Sequence, residues 1–103
     1  MLVLPSGERR WPLLSSSNIS ALLELAPIRQ YQFVQKTVDR IELRLAVART
    51  LTAEEEAALR RWVADKFGHP FEVDFAYLEE IPRKPSGKFE DFISEVPASV
   101  IDR

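Results

Sequence analysis

From residue 41 to 47, Ile41, Leu43, Leu45 and Val47 alternate with Glu42, Arg44 and Ala46. A period of two is the mark of a strand with one face on a core. The preceding stretch, 29–38, alternates less cleanly, with Tyr31, Phe33 and Gln35 on one side and Gln30, Gln32 and Val34 on the other. Asp39-Arg40 between the two predicts a tight turn. A third strand follows from Phe71, Val73, Phe75 and Tyr77. The rhythm changes between these strands. Leu59, Trp62, Val63 and Phe67 recur at helical spacing, which predicts one buried face ended by Gly68. Thr52 and Glu55 stand at capping-box spacing ahead of it, and Glu54, Glu55 and Glu56 suit the positive end of its dipole.

A shorter helix is expected from Ile19, Leu22, Leu23 and Leu25-Ala26, capped by Ser17 or Asn18 and closed before Pro27. At the start, two short apolar runs flank Pro5-Ser6-Gly7-Glu8 and predict a hairpin, with Gly7 free to take a positive φ. Residues 89–96 read as a short strand or a turn of helix. The predicted fold is therefore α+β, a small mainly antiparallel sheet with two helices on one face, preceded by a short N-terminal β-hairpin. The expected divisions are a hairpin at 2–13, an α/β core at 17–78, and a lysine-bearing loop and tail at 81–103.

Composition narrows the chemistry. At 103 residues the chain is long enough for one core and too short for two. It has no cysteine and one histidine, His69, so neither a thiolate nor a histidine-rich metal site is available, and no metal site is expected. Fourteen basic against sixteen acidic residues argue against a nucleic-acid partner, which calls for a basic excess on one face. The apolar runs are too short for a membrane span, so no membrane association is expected and the cytoplasm is the default compartment.

Ser86-Gly87-Lys88 is the most suggestive local motif, although on spacing alone a solvated turn is its commoner meaning. It is not a phosphate-binding Walker loop, because Pro82 stands where the first glycine is needed and Phe89 where Ser or Thr should follow the lysine. Pro82, Pro85 and Gly87 nevertheless combine stiff and permissive points, which suits a loop that aims an ammonium group at phosphate or carboxylate oxygens. Other candidates have plainer readings. Glu54-Glu55-Glu56 reads as a helix start before it reads as metal ligands, and Glu79-Glu80 as a solvated strand end. His69 follows a helix end, and Ser15-Ser16-Ser17 lacks a nucleophile context. Tyr31, Gln32 and Gln35 either face a partner or belong to the core and sheet surface.

Leu2-Val-Leu-Pro-Ser-Gly-Glu-Arg-Arg-Trp-Pro, Tyr31-Gln-Phe-Val-Gln, Ile41-Glu-Leu-Arg-Leu and the segment from Ile81-Pro-Arg-Lys-Pro-Ser-Gly-Lys-Phe to Val96 together resemble a known family. It is the C-terminal domain of adenylate-forming enzymes, in the phenylacetate–coenzyme A ligase and CapK-type branch. The resemblance implies a small lid that closes on a large N-terminal nucleotide-binding domain, which binds ATP, Mg2+ and a small carboxylic acid. It assigns Lys88 as the adenylation lysine, Ser86 and Gly87 as its loop support, and the hairpin turn at Gly7 as the face used for thioester formation with coenzyme A. Glu90 departs from relatives, which are often basic there. The resemblance also implies that the chain is an excised piece of a longer enzyme, inactive alone. Two further readings are a stand-alone interaction module descended from such a lid, and an adenylyltransferase that moves AMP to a cofactor.

Overall fold

The computed structural model describes residues 2–11, 14–81 and 91–96. In chain order the elements are β1 (Leu2–Val3), β2 (Arg9–Arg10), α1 (Ser16–Leu25), β3 (Ile28–Thr37), β4 (Arg40–Val47), α2 (Ala53–Phe67), β5 (Glu72–Tyr77) and β6 (Phe92–Ser94). The expected α+β class, the two helices and the N-terminal hairpin are all present. The last segment, left open between strand and helix, is the strand β6.

The main sheet has the order β5-β4-β3-β6. Its central pair is antiparallel, joined by a tight turn in which Thr37 faces Arg40. The flanking pairs, β4 with β5 and β3 with β6, are both parallel. The sheet is thus mixed, and its expected antiparallel character holds only at the centre. Connectivity explains the difference. Helix α2 occupies the link between β4 and β5, so the chain returns to its starting end before β5 begins, and adjacent strands joined this way run parallel.

Helix α2 forms where the sequence places it. The Thr52 hydroxyl accepts from Glu55 N–H at 3.1 Å while the Glu55 carboxylate accepts from Thr52 N–H at 2.8 Å. Gly68 closes the helix in a left-handed conformation, φ 74°, its N–H on the Ala64 carbonyl. Leu59, Trp62, Val63 and Phe67 are buried, as expected. In α1 the cap is Ser15, ahead of the two residues expected. Its hydroxyl accepts from Asn18 N–H, and only Leu22 is fully buried while Leu23 is exposed.

One core unites these elements. The Phe33 ring stacks on Trp62 at 5.6 Å and meets Phe67 edge-on at 5.3 Å, and Phe67 also meets Phe71 and Phe92 edge-on. Leu2 and Leu4 of the hairpin and Leu22 of α1 join the same cluster. Fully burying each large apolar side chain contributes roughly 1.5–3 kcal/mol. Trp62 buries its indole N–H without a hydrogen-bond partner among the described residues.

Strand β3 is buried on both faces at its middle, with residues 32–35 all inaccessible. Phe33 and Gln35 face the helices, whereas Gln32 and Val34 face the other way beside Arg44, whose guanidinium reaches Gln32 Oε1 at 3.1 Å. This back surface continues as an ion-pair chain, Arg44 to Glu42 to Lys36 to Glu95.

Candidate functional site

Both segments singled out in the sequence are tied to β3. The N-terminal hairpin is attached through Gln35. Gly7 N–H donates to the Leu4 carbonyl and Leu4 N–H to the Glu8 carbonyl, both at 2.8 Å, with Gly7 at φ 90°. This is a three-residue hairpin loop whose third position needs a left-handed residue, which glycine supplies without strain. Antiparallel pairing alternates, so the bond from Leu4 to Glu8 turns the N–H and carbonyl of Val3 away from β2. The side chain of Gln35 meets them. Val3 N–H donates to Gln35 Oε1 at 2.9 Å and Gln35 Nε2 donates to the Val3 carbonyl at 2.5 Å. One buried amide therefore stands in for a neighbouring strand.

Two more contacts hold the hairpin. Leu2 and Val3 are fully buried against the domain. Arg10 lies over the end of α2, so close that a Cβ on Gly68 would meet its Nη1 at 2.8 Å. A cation there complements the negative end of the helix dipole. Arg9 and Trp11 fall on the opposite side of β2 by strand alternation, and Trp11 is 74% exposed.

Lys88, Ser86 and Gly87 lie outside the described residues, but the roots of their segment are described. On the entering side, Ile81 is buried and its N–H donates to Gln30 Oε1 at 2.8 Å. An open depression of about 410 Å³ adjoins this root, lined by Arg29, Gln30, Ala46, Glu79 and Glu80. On the returning side, the Asp91 carbonyl accepts from Phe33 N–H at 2.8 Å and leads into β6. Burial, helped by the Asp91 carboxylate, raises the pKa of Tyr31 and keeps its phenol protonated at neutral pH.

The register from Gln30 to Gln35 is regular, and irregularities sit just outside each glutamine. An odd separation along a strand puts two side chains on opposite faces. The hairpin and the entering root are thus held from opposite faces of β3, about 17 Å apart at ~3.4 Å per residue. Of the glutamines expected either to face a partner or to join the core and sheet surface, Gln35 is an internal clamp and Gln32 a buried partner of Arg44, so neither presents a polar face outward. A glutamine in phase with Tyr31 and Phe33 was the only sign of the clamp in the sequence. Nothing in the sequence marked Gln30.

The acidic run at the start of α2 is spent on the fold. Glu55 takes a two-pronged contact from Arg49, 2.8 Å on each oxygen, besides its cap bond. Those bonds hold its carboxyl down at about 2, the Arg49 hydrogen bond being the largest cause. Glu56 accepts from the Tyr77 hydroxyl. Partial burial first, and this bond next, raise the Tyr77 pKa above its ordinary value. Among the described residues no three Asp, Glu or His side chains converge as a metal site. No described helix is long and apolar enough to cross a membrane.

Comparison with protein families matches residues 8–95 to the CapK C-terminal domain. Among curated proteins none matches. With a match running from the returning strand of the hairpin through the lysine segment to the end of β6, the chain belongs to the CapK C-terminal domain family.

Proposed function

We infer that this C-terminal domain serves as the lid of an acyl-adenylate-forming ligase, with Lys88 as its adenylation lysine. The observation that carries the reading is the attachment of two segments to opposite faces of β3. A body built this way can offer one segment to an active site and, after rotating, offer the other. The family match supports the same reading, because it spans the segment in which Lys88 stands.

The chemistry asked of each segment is distinct. In the first half-reaction a carboxylate oxygen attacks the α-phosphorus of ATP, pyrophosphate leaves and an acyl-adenylate forms. Two anions must approach, and a positioned ammonium stabilises charge as it moves onto the leaving oxygens. Lys88 supplies that cation, with Ser86 and Gly87 shaping its loop. In the second half-reaction the coenzyme A thiolate attacks the acyl carbon and AMP leaves. The hairpin around Gly7 provides that face, where Arg9 and exposed Trp11 suit a phosphate-bearing nucleotide. In this reading Mg2+ would be held by the N-terminal nucleotide-binding domain, where it would neutralise charge on the ATP phosphates.

The test is ATP–pyrophosphate exchange in the full-length protein with a panel of small carboxylic acids. Lys88→Ala is expected to lower exchange by roughly 100-fold or more, the scale of a lost charge-stabilising group. Exchange at the wild-type rate would remove Lys88 from the mechanism. Product analysis with and without coenzyme A separates the ligase from transfer of AMP to another acceptor. An absence of exchange with every acid would leave the interaction-module reading in its place.

A further inference from the structure

We propose that Gln35 is a positioning residue for the second half-reaction, holding the hairpin face in register with the sheet without touching substrate. The inference rests on the ligase reading above and adds a residue that the family match does not assign.

Three observations lead to it. Gln35 is fully buried, yet its amide spends both a donor and an acceptor on the backbone of a single residue, Val3. Val3 adjoins Leu4, which closes the loop Pro5-Ser6-Gly7 against Glu8, so the clamp sits at the base of the face in question. β1 and β2 form their own two-stranded sheet, separate from the four-stranded one. Apolar burial of Leu2 and Leu4 holds the hairpin against the core but is non-directional, and it does not fix the angle of the loop. The paired hydrogen bonds do, because each loses strength as its geometry departs from linear. The clamp is the Gln35 side chain on the helix-side face of β3, whereas the entering root of the lysine segment is bonded to Gln30 on the other face and its returning root pairs through backbone with Phe33, Val34 and Gln35. Replacing the Gln35 side chain leaves the backbone partners of both roots in place.

The discriminating variant is Gln35→Met, close in size and able to pack but unable to bond both backbone groups, studied in the full-length protein. Acyl-adenylate formation, read by ATP–pyrophosphate exchange, is expected to be retained. Thioester formation from preformed acyl-adenylate is expected to fall by roughly 10- to 100-fold, the scale of a misplacement of about 1 Å. Gln35→Glu adds a readout that simple loss of packing would not move. Its protonated carboxyl can both donate and accept, so the ratio of thioester rates, variant to wild type, should rise as pH falls. Equal loss of both half-reactions, or unchanged thioester formation in Gln35→Met, overturns the proposal. If the wild-type protein forms no acyl-adenylate, the ligase reading has failed instead. The clamp is then judged from amide hydrogen exchange in Gln35→Met: lost protection at Val3 and Leu4 supports it, and full protection overturns it.

Discussion

Gly68 shows how one residue can serve two contacts. It ends α2 at φ 74°, and Arg10 from the hairpin packs directly over it. Gly68→Ala should destabilise the domain by about 1–2 kcal/mol, because a Cβ is strained in the left-handed region. Gly68→Asn should cost less, since asparagine tolerates that region better. Equilibrium denaturation of the two variants checks the order, and an alanine variant as stable as wild type would remove the strain argument. The glycine itself was legible, since it stands where the apolar rhythm of α2 stops. The cap of α1 was less so. Ser15, Ser17 and Asn18 all carry suitable acceptors, and only the helix register selects Ser15. Gln35 was half legible: a polar residue on a core-facing phase announces a buried partner without naming it.

At the level of elements, α2 depends on its first turn. Thr52→Ala removes the acceptor for Glu55 N–H and should cost about 1 kcal/mol, measurable as a lowered midpoint in thermal or chemical unfolding. Glu55 adds a pH dependence whose direction follows from its shift. Its carboxyl is held at about 2 in the folded chain against an ordinary 4.5. The unfolded chain therefore binds the proton first as pH falls. Stability from this group is fully present above its ordinary value and is lost as pH drops from there toward 2. Glu55→Gln should accordingly lie below wild type at neutral pH, with the gap narrowing through that window. A gap independent of pH would show that Arg49 and the Thr52 amide do not act through the charge. These local features were readable because they involve residues a few places apart. Strand order was not equally readable. The parallel edges arise from contacts between residues far apart, such as Val34 with Ile93, and hydrophobic alternation carries no information about strand direction.

For the molecule as a whole, Phe33 is the point where sheet and helix meet, with Trp62 and Phe67 both on its ring. Phe33→Ala should cost about 3–5 kcal/mol. A small domain has only about 5–15 kcal/mol in total, so much of the cooperative unfolding transition should be lost. Near-UV circular dichroism would report this through the stacked Trp62, and an unchanged spectrum with an unchanged midpoint would contradict the packing described. The family, by contrast, was legible only through the longer resemblance, and the adenylation chemistry proposed above rests on it. Ser86-Gly87-Lys88 has the composition of many surface turns, and the two glutamines that hold the hairpin and Ile81 are ordinary strand residues when read singly.

The placement of those glutamines makes the pairing of β3 with β4 a matter of accuracy as well as stability. Side chains on a strand change sides with every residue, so a slip by one position would exchange inside for outside along the whole ladder. Gln30 and Gln35 would be inverted together, and each attached segment would lose its backbone partner in the same event. An error of this kind can leave most strand-to-strand hydrogen bonds intact and still produce a molecule in which both attachment points are turned over. The tight turn between Thr37 and Arg40 is the nearest guard against it. Lengthening that turn by a single residue is thus a change far from either surface that should disturb both.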